Sequence, residues 1–222
     1  MWVRSEVKAK GLSNFKKNYW KSVLAALIYM LFFGATATTF NSKRSSIDVS
    51  DPDFLAIMLA ILAAVAVLLL ICKLIDIFLL NPLEVGCQRF FLVNQDADAQ
   101  LGELGHAYKN NYGKVVLGIF LRDLLICLGL IVIVPGLILS YSYRLVPYIL
   151  AEDTTISGPD ALKKSRAMMN GHKWNAFVYD LSFIGWILLT AITFGIVGIF
   201  YFDPYKMNAD AALYQAIKGE NE

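Results

Sequence analysis

The chain has 222 residues, a formal net charge of +2, and a composition that is 57% hydrophobic and only 17% charged, with a mean hydropathy of +0.54. Water-soluble domains carry about a quarter charged residues, so the natural solvent for the long apolar runs here is a bilayer. The small net charge, with no basic groove or RNA-binding signature, argues against nucleic acid, and three widely spaced cysteines (Cys72, Cys87, Cys127) without a CxxC argue against a disulfide framework or zinc knuckle. The cysteines read as small core hydrophobes.

Residues 2–19 set Val3 and Val7, then Phe15 and Tyr19, at i,i+4 among Arg4, Lys8, Lys10, Lys16 and Lys17. That pattern fits an interfacial helix with lysines toward anionic lipid and equally a solvated leader helix. Ala35-Thr36-Ala37 imitates a signal-peptidase site, but the 21 residues before the apolar run that begins at Ser22 are helix-patterned and their entry sequence recurs downstream, so the segment is read as retained. Ser22–Phe40 is the first span, Asn41–Asp53 a polar loop, and Phe54–Leu80 the second span. Lys73 and Asp76, at i,i+3 near its far end, share a face and can pair. Val115–Val134 is a third apolar segment holding Arg122 and Asp123; Pro135-Gly136 is expected to break it. Leu137–Ala151 is a fourth, with Arg144. Ser157 and Asp160 have capping-box spacing with Pro159 in the first turn, predicting a helix start. Asn175–Tyr201 is apolar apart from Asp180, and a short tail helix is expected over Asn208–Lys218.

An internal repeat is visible. Aromatic-basic entries at Lys17–Lys21, Lys109–Lys114 and Asn170–Trp174 each precede an apolar run, and Pro82-Leu83, Pro147-Tyr148 and Pro204-Tyr205 close those runs. The units are approximately 1–83, 105–151 and 157–206 within a single membrane domain spanning 1–222. The last two hold 33 and 29 residues between entry and exit. As one straight helix each would be about 45–50 Å long, against a hydrocarbon core of roughly 30 Å, so a hairpin fits better. The expected fold is an all-α, polytopic helical membrane protein: six membrane helices as three hairpins with a weak threefold internal repeat, plus interfacial amphipathic helices. Charge supports it: fifteen Lys/Arg fall in 1–21, 83–114, 151–173 and 205–222, and only Lys43 and Arg44 on the other side. By the positive-inside rule both termini are cytoplasmic. A four-span model would put the basic helix at Leu162 outside, against that rule.

The C-terminal half carries Tyr143-Arg144, Tyr148–Ala151, Ala161-Leu162, Ser165, Met169, Gly171-His172-Lys173, Phe177, Leu181–Trp186 and Pro204-Tyr205, and the N-terminal half Asn18-Tyr19-Trp20 and Pro82–Gly86. On these residues the chain resembles the bacterial integral membrane protein family catalogued as domain of unknown function 975. The resemblance covers nearly the whole chain and implies a multi-pass protein of the cytoplasmic membrane; it implies no activity and no catalytic residues.

Charges inside apolar segments are costly and are functional candidates by default. Lys73, Asp76, Arg122, Asp123, Arg144 and Asp180 form a candidate intramembrane polar cluster, with Arg144 and Asp180 expected to face the bundle interior. The alternative is plain structural pairing and snorkelling. Lys163, Lys164, Arg166, Lys173 and Trp174 are candidate lipid-headgroup contacts, on a helix expected to lie along the membrane surface with Leu162 and Met169 dipped into it. Ser165, His172 and Asp180 could be drawn as a triad, but no nucleophile elbow surrounds them, and no phosphate-binding glycine motif occurs. Gly129, Gly136, Gly185, Gly195 and Gly198 are expected to permit close helix approach. The reading is therefore a non-enzymatic membrane component, without catalytic, metal or cofactor residues, that organises or regulates lipid or protein partners, anionic headgroups first among them. The alternative is a small carrier with a charged cavity between hairpins.

Overall fold

The computed structural model describes residues 3–19, 21–23, 25–26 and 54–221, with backbone alone for 54–58 and 60. All regular elements among them are helical. The first span beyond its opening residues, and the Asn41–Asp53 loop, lie outside the described residues.

Helix α1 (Arg4–Lys17) is followed by helical residues at 19, 21–23 and 25–26 and, next among the described elements, by α2 (Phe54–Ile75), which passes through a π turn (Asp76–Leu80) into α3 (Asn81–Asp96). A 3₁₀ turn (Leu101–Gly105) and the short α4 (His106–Lys109) lead to α5 (Tyr112–Leu130). The chain then reverses into α6 (Ile133–Ser142), turns at Tyr143–Leu145 into α7 (Val146–Glu152), and continues through α8 (Gly158–Met168), α9 (Lys173–Leu181) and α10 (Ile184–Ile192). A second reversal and a π turn (Gly198–Phe202) feed α11 (Asp203–Asn221). Among the described residues, three stretches are long and apolar enough to cross a membrane: Ile61–Asp96, Ile133–Glu152 and Lys173–Ile192.

The prolines expected to close apolar runs do not end helices at Pro82 and Pro204. Proline lacks an N–H and its ring crowds the carbonyl four residues earlier. At both sites the preceding turn widens: Asn81 N–H reaches back to Asp76 and Asp203 N–H to Gly198, the i−5 spacing of a π turn. The carbonyls released are those of Phe78 and Phe200, and each is taken by a tyrosine from an entry motif. Tyr112 donates to Phe78 O at 2.6 Å and Tyr19 to Phe200 O at 3.1 Å. At Pro147 no π turn forms; the chain turns sharply instead.

The post-proline helices α3, α7 and α11 form the centre of the core, with α1, α8 and the first half of α5 packed on them. Phe90, Phe91, Ile149, Leu150, Leu213 and Tyr214 are fully buried. Here the surface-helix expectations need correction. Val7 and Phe15 face α11, not a membrane surface. Leu162 and Met169 are 7% and 0% exposed; the apolar side of α8 is covered by protein, chiefly α5 and α7. Gly158 permits the α5 contact, since a Cβ there would lie 2.8 Å from Gly118 Cα.

The apolar segments that leave this core are bare. Every residue of α2 whose side chain is described, Leu59 and residues 61–75, is exposed, and a helix apolar all round belongs in lipid or a large core. The first reversal falls at Ile131–Val132, a few residues before the expected break. Pro135 sits in the first turn of α6, where its missing N–H costs nothing, and Gly129 and Gly136 face each other across the hairpin. The second reversal uses Phe194 and Gly195, both with positive φ (50° and 87°), a conformation natural for glycine; Phe194 is 97% exposed. Gly198 meets Thr190, whereas Gly185 and Gly195 have no neighbour where a Cβ would stand, so helix approach does not account for those two. Cys87 is buried as expected, but Cys72 and Cys127 lie on exposed apolar faces.

Candidate functional site

The turn between α6 and α7 places Arg144. Ser165 of α8, wholly buried, accepts from Leu145 N–H at 3.3 Å and donates to Ser142 O at 2.8 Å, so the turn's backbone groups are satisfied from a neighbouring helix. Arg144 then forks onto Asp180 of α9 (2.6 and 3.0 Å) and reaches Asp210 of α11 at 2.9 Å. Lys206, one turn before Asp210, bridges the same two carboxylates at 3.1 and 2.5 Å. Tyr141 donates to Asp180 and Tyr179 to Asp210, each at 3.1 Å. Two cations and two carboxylates thus tie α9 and α11 to the α6–α7 turn. Nearby, Lys8 of α1 lies 4.2 Å above the Phe183 ring and donates to Ser182 O at 3.3 Å; burial, and then the Lys206 ammonium, push its own ammonium below the ordinary lysine range.

A second cluster stands on α5. Arg122 makes a two-pronged bond to Glu84 of α3 (2.7 and 2.9 Å) and turns its Nε to Asp123 at 2.8 Å. Paired, planar guanidinium–carboxylate contacts of this kind are the strong ones. Both clusters line one cavity of about 270 Å³. Its wall also holds Gln88, whose Oε1 is buried without a hydrogen-bond partner among the described residues.

The six charges singled out from the sequence therefore separate. Arg144 and Asp180 meet directly, Arg122 and Asp123 meet on the facing wall, and Lys73 and Asp76 bond to each other at 2.7 Å, with Lys73 72% exposed. Three members were missed: Glu84, Lys206 and Asp210. The available signal was the Lys206–Asp210 i,i+4 spacing and a glutamate two residues past Pro82. Ser165, His172 and Asp180 do not converge. Ser165 is committed to the turn, Asp180 to Arg144 and Lys206, and His172 Nε2 lies 3.5 Å from Glu220.

On the outside of α8 and α9 the picture differs. Lys163, Lys164 and Arg166 are exposed. Lys163 has Asp160 at 3.5 Å with both side chains mostly in solvent, a contact worth little. Arg166 and Lys173 have no carboxylate or hydrogen-bond partner among the described residues. Trp174 is 71% exposed, with its ring 5.3 Å from that of Phe177.

No curated protein and no solved structure matches the chain. One family model does, over residues 23–221, and the chain belongs to that family, described as Protein of unknown function (DUF975).

Proposed function

We propose that the protein is a non-enzymatic, multi-pass component of the cytoplasmic membrane that organises or regulates lipid or protein partners through its basic helical face. In this reading the chain enters and leaves the bilayer as three hairpins, six membrane-embedded helices in all. Both termini are cytoplasmic, in keeping with the fifteen-to-two distribution of basic residues. The two tyrosine-to-carbonyl bonds, each joining an entry motif to a proline exit of another unit, support a threefold repeat.

The observation that carries the reading is the unequal treatment of cations. Arg122, Arg144 and Lys206 are consumed by carboxylates of the same chain, whereas the exposed Arg166 and half-buried Lys173 have no anion among the described residues. Internally saturated charges hold helices together; unsaturated ones are available to something outside. The carrier reading has one point in its favour, the unpartnered Gln88 Oε1 in the charged cavity. Native mass spectrometry of the full chain from mild detergent separates the two. Retained anionic lipid or a protein partner is expected. A retained water-soluble solute, with neither lipid nor partner, would overturn the membrane-component reading in favour of a carrier.

A further inference from the structure

Two cavities meet at Lys173. One, of about 440 Å³, lies between α8 and the start of α9 and is lined by Lys163, Arg166, Ala167, Asn170 and Lys173. The other, of about 420 Å³, lies between α6 and α9 and is lined by Leu137, Ile138, Tyr141, Lys173, Trp174 and Phe177. The described residues lining the first are basic or neutral, with no acid among them; the second is apolar apart from Lys173, the Tyr141 hydroxyl and the Trp174 indole N–H. We propose that together they hold one anionic phospholipid, its phosphate against Arg166 and Lys173 and one acyl chain along Leu137, Ile138 and Phe177. This rests on the membrane-component reading and gives it a defined site and ligand class.

Four features converge on that occupant. Gly171, at φ 82°, turns the chain between α8 and α9 and sets Lys173 across from Arg166 on the same cavity. Lys173 opens α9, a helix with no acidic residue in its first turn and no side-chain cap from His172. A cation at a helix start opposes the dipole, so an anion there satisfies the lysine and the uncapped amides together. The apolar face of α8 is already buried against protein, which leaves α8 a basic wall and not a membrane-dipping amphipath. Trp174, next in sequence to the shared Lys173, lines the apolar cavity, and tryptophan favours the headgroup level. Lys173 can lay its stem along the apolar groove while its ammonium remains at the basic end. The two volumes combined fall within the usual range of ligand sites.

The test uses the full chain in nanodiscs containing phosphatidylglycerol and phosphatidylcholine, released into mild detergent for native mass spectrometry. The wild type should retain one phosphatidylglycerol in preference to phosphatidylcholine. Arg166→Ala with Lys173→Ala should lower that retention about thirtyfold, the scale expected for two juxtamembrane basic contacts. Lys16→Ala with Lys17→Ala, equally basic and exposed on α1, should leave it unchanged. Ile138→Trp, which fills the groove, should lower retention with the basic residues intact. Salt raised from about 0.1 M to 1 M shortens the screening length from roughly 10 to 3 Å and should weaken retention. Glycerol 3-phosphate should compete poorly. Competition as effective as that of the lipid would overturn the acyl-chain half of the site. Retention indifferent to Arg166 and Lys173, or lost equally in the α1 pair, would overturn the site while leaving the wider reading standing. No anionic lipid on the wild type at all would overturn the site, and the wider reading with it if no protein partner is retained either.

Discussion

The charged cavity between α3, α5, the α6–α7 turn and α11 and the basic groove on α8 and α9 contain the same kinds of side chain put to opposite use. In the cavity, Arg122 is only 15% exposed and Arg144 18%, and each is matched by carboxylates from other helices. In the groove, Arg166 and Lys173 have no such match. Desolvating an unpaired charge is prohibitively costly, so an internal arginine has to bring its acid with it. A surface cation faces no such demand. Which charges are structural is therefore read from where their counter-charges come from, more than from how apolar the surrounding sequence is.

The largest effect should come from breaking the pairing where it is densest. Arg144→Ala leaves Asp180 and Asp210 with Lys206 as their one remaining cation. Breaking a buried pair costs about 3–5 kcal/mol; Asp180 is 30% exposed and Lys206 stays in place, so about 2–3 kcal/mol is expected. For a chain of this size that is a fall in thermal midpoint of about 8 °C, measurable by unfolding in detergent. Arg166→Ala should cost less than about 0.5 kcal/mol, as for a surface position. Equal losses in the two variants would erase the distinction between cavity and groove.

The second expectation sharpens the same contrast on the α5 side. Glu84→Gln keeps shape and most hydrogen bonding but leaves Arg122 with Asp123 alone. Glu84 is 10% exposed and its two bonds to Arg122 are short, so a loss of about 2 kcal/mol is expected, a midpoint fall of about 5 °C. Asp123, 47% exposed, should matter less; Asp123→Asn producing the larger fall would show that the arginine is held from its own helix and not across to α3.

Much of this was legible in the residues, and the failures share a cause. Pairs and caps within one helix were readable because spacing alone sets them: Lys73 with Asp76, and Ser157 with Asp160. The α5–α6 hairpin was readable because 33 residues are too many for one crossing. Glu84, Lys206 and Asp210 are hidden in the sequence because Pro82 and Pro204 read as helix ends, which places those residues outside the apolar bundle. The π turns carry both helices through, with Tyr112 and Tyr19 serving the carbonyls that proline releases, and so carry the charges back to face Arg122 and Arg144. Amphipathicity misled in a second way. The apolar stripes of α1 and α8 were correctly located, but a stripe does not specify whether lipid or protein covers it, and here Gly11 against Ala209 and Gly118 against Gly158 let neighbouring helices close over both.

The smallest effect separates the rigidity of α8 from its charge. Ser157 caps this helix: its hydroxyl accepts from Asp160 N–H at 3.3 Å and donates to the Asp160 carboxylate at 2.5 Å. Ser157→Ala removes both bonds and should cost about 1 kcal/mol, the usual value of an N-cap, or a midpoint about 3 °C lower. The Ser157 hydroxyl, and then Lys163, hold the Asp160 carboxyl below the ordinary carboxylate range. A folded-state pKa below the unfolded one adds stability that is present above the unfolded value, about 3.9 for aspartate, and is lost as pH falls through the folded value. The difference between wild type and Ser157→Ala should therefore shrink on acidification below about pH 4. Arg166 lies more than two turns along α8 from the cap, on a segment whose other face is clamped by Ser165 and Met169, so fraying at the first turn should not reach it. Ser157→Ala should consequently lower stability without lowering phosphatidylglycerol retention. A parallel loss of both would mean that the groove depends on the whole of α8 being ordered, and not on the local turn through Gly171 that sets Lys173 opposite Arg166.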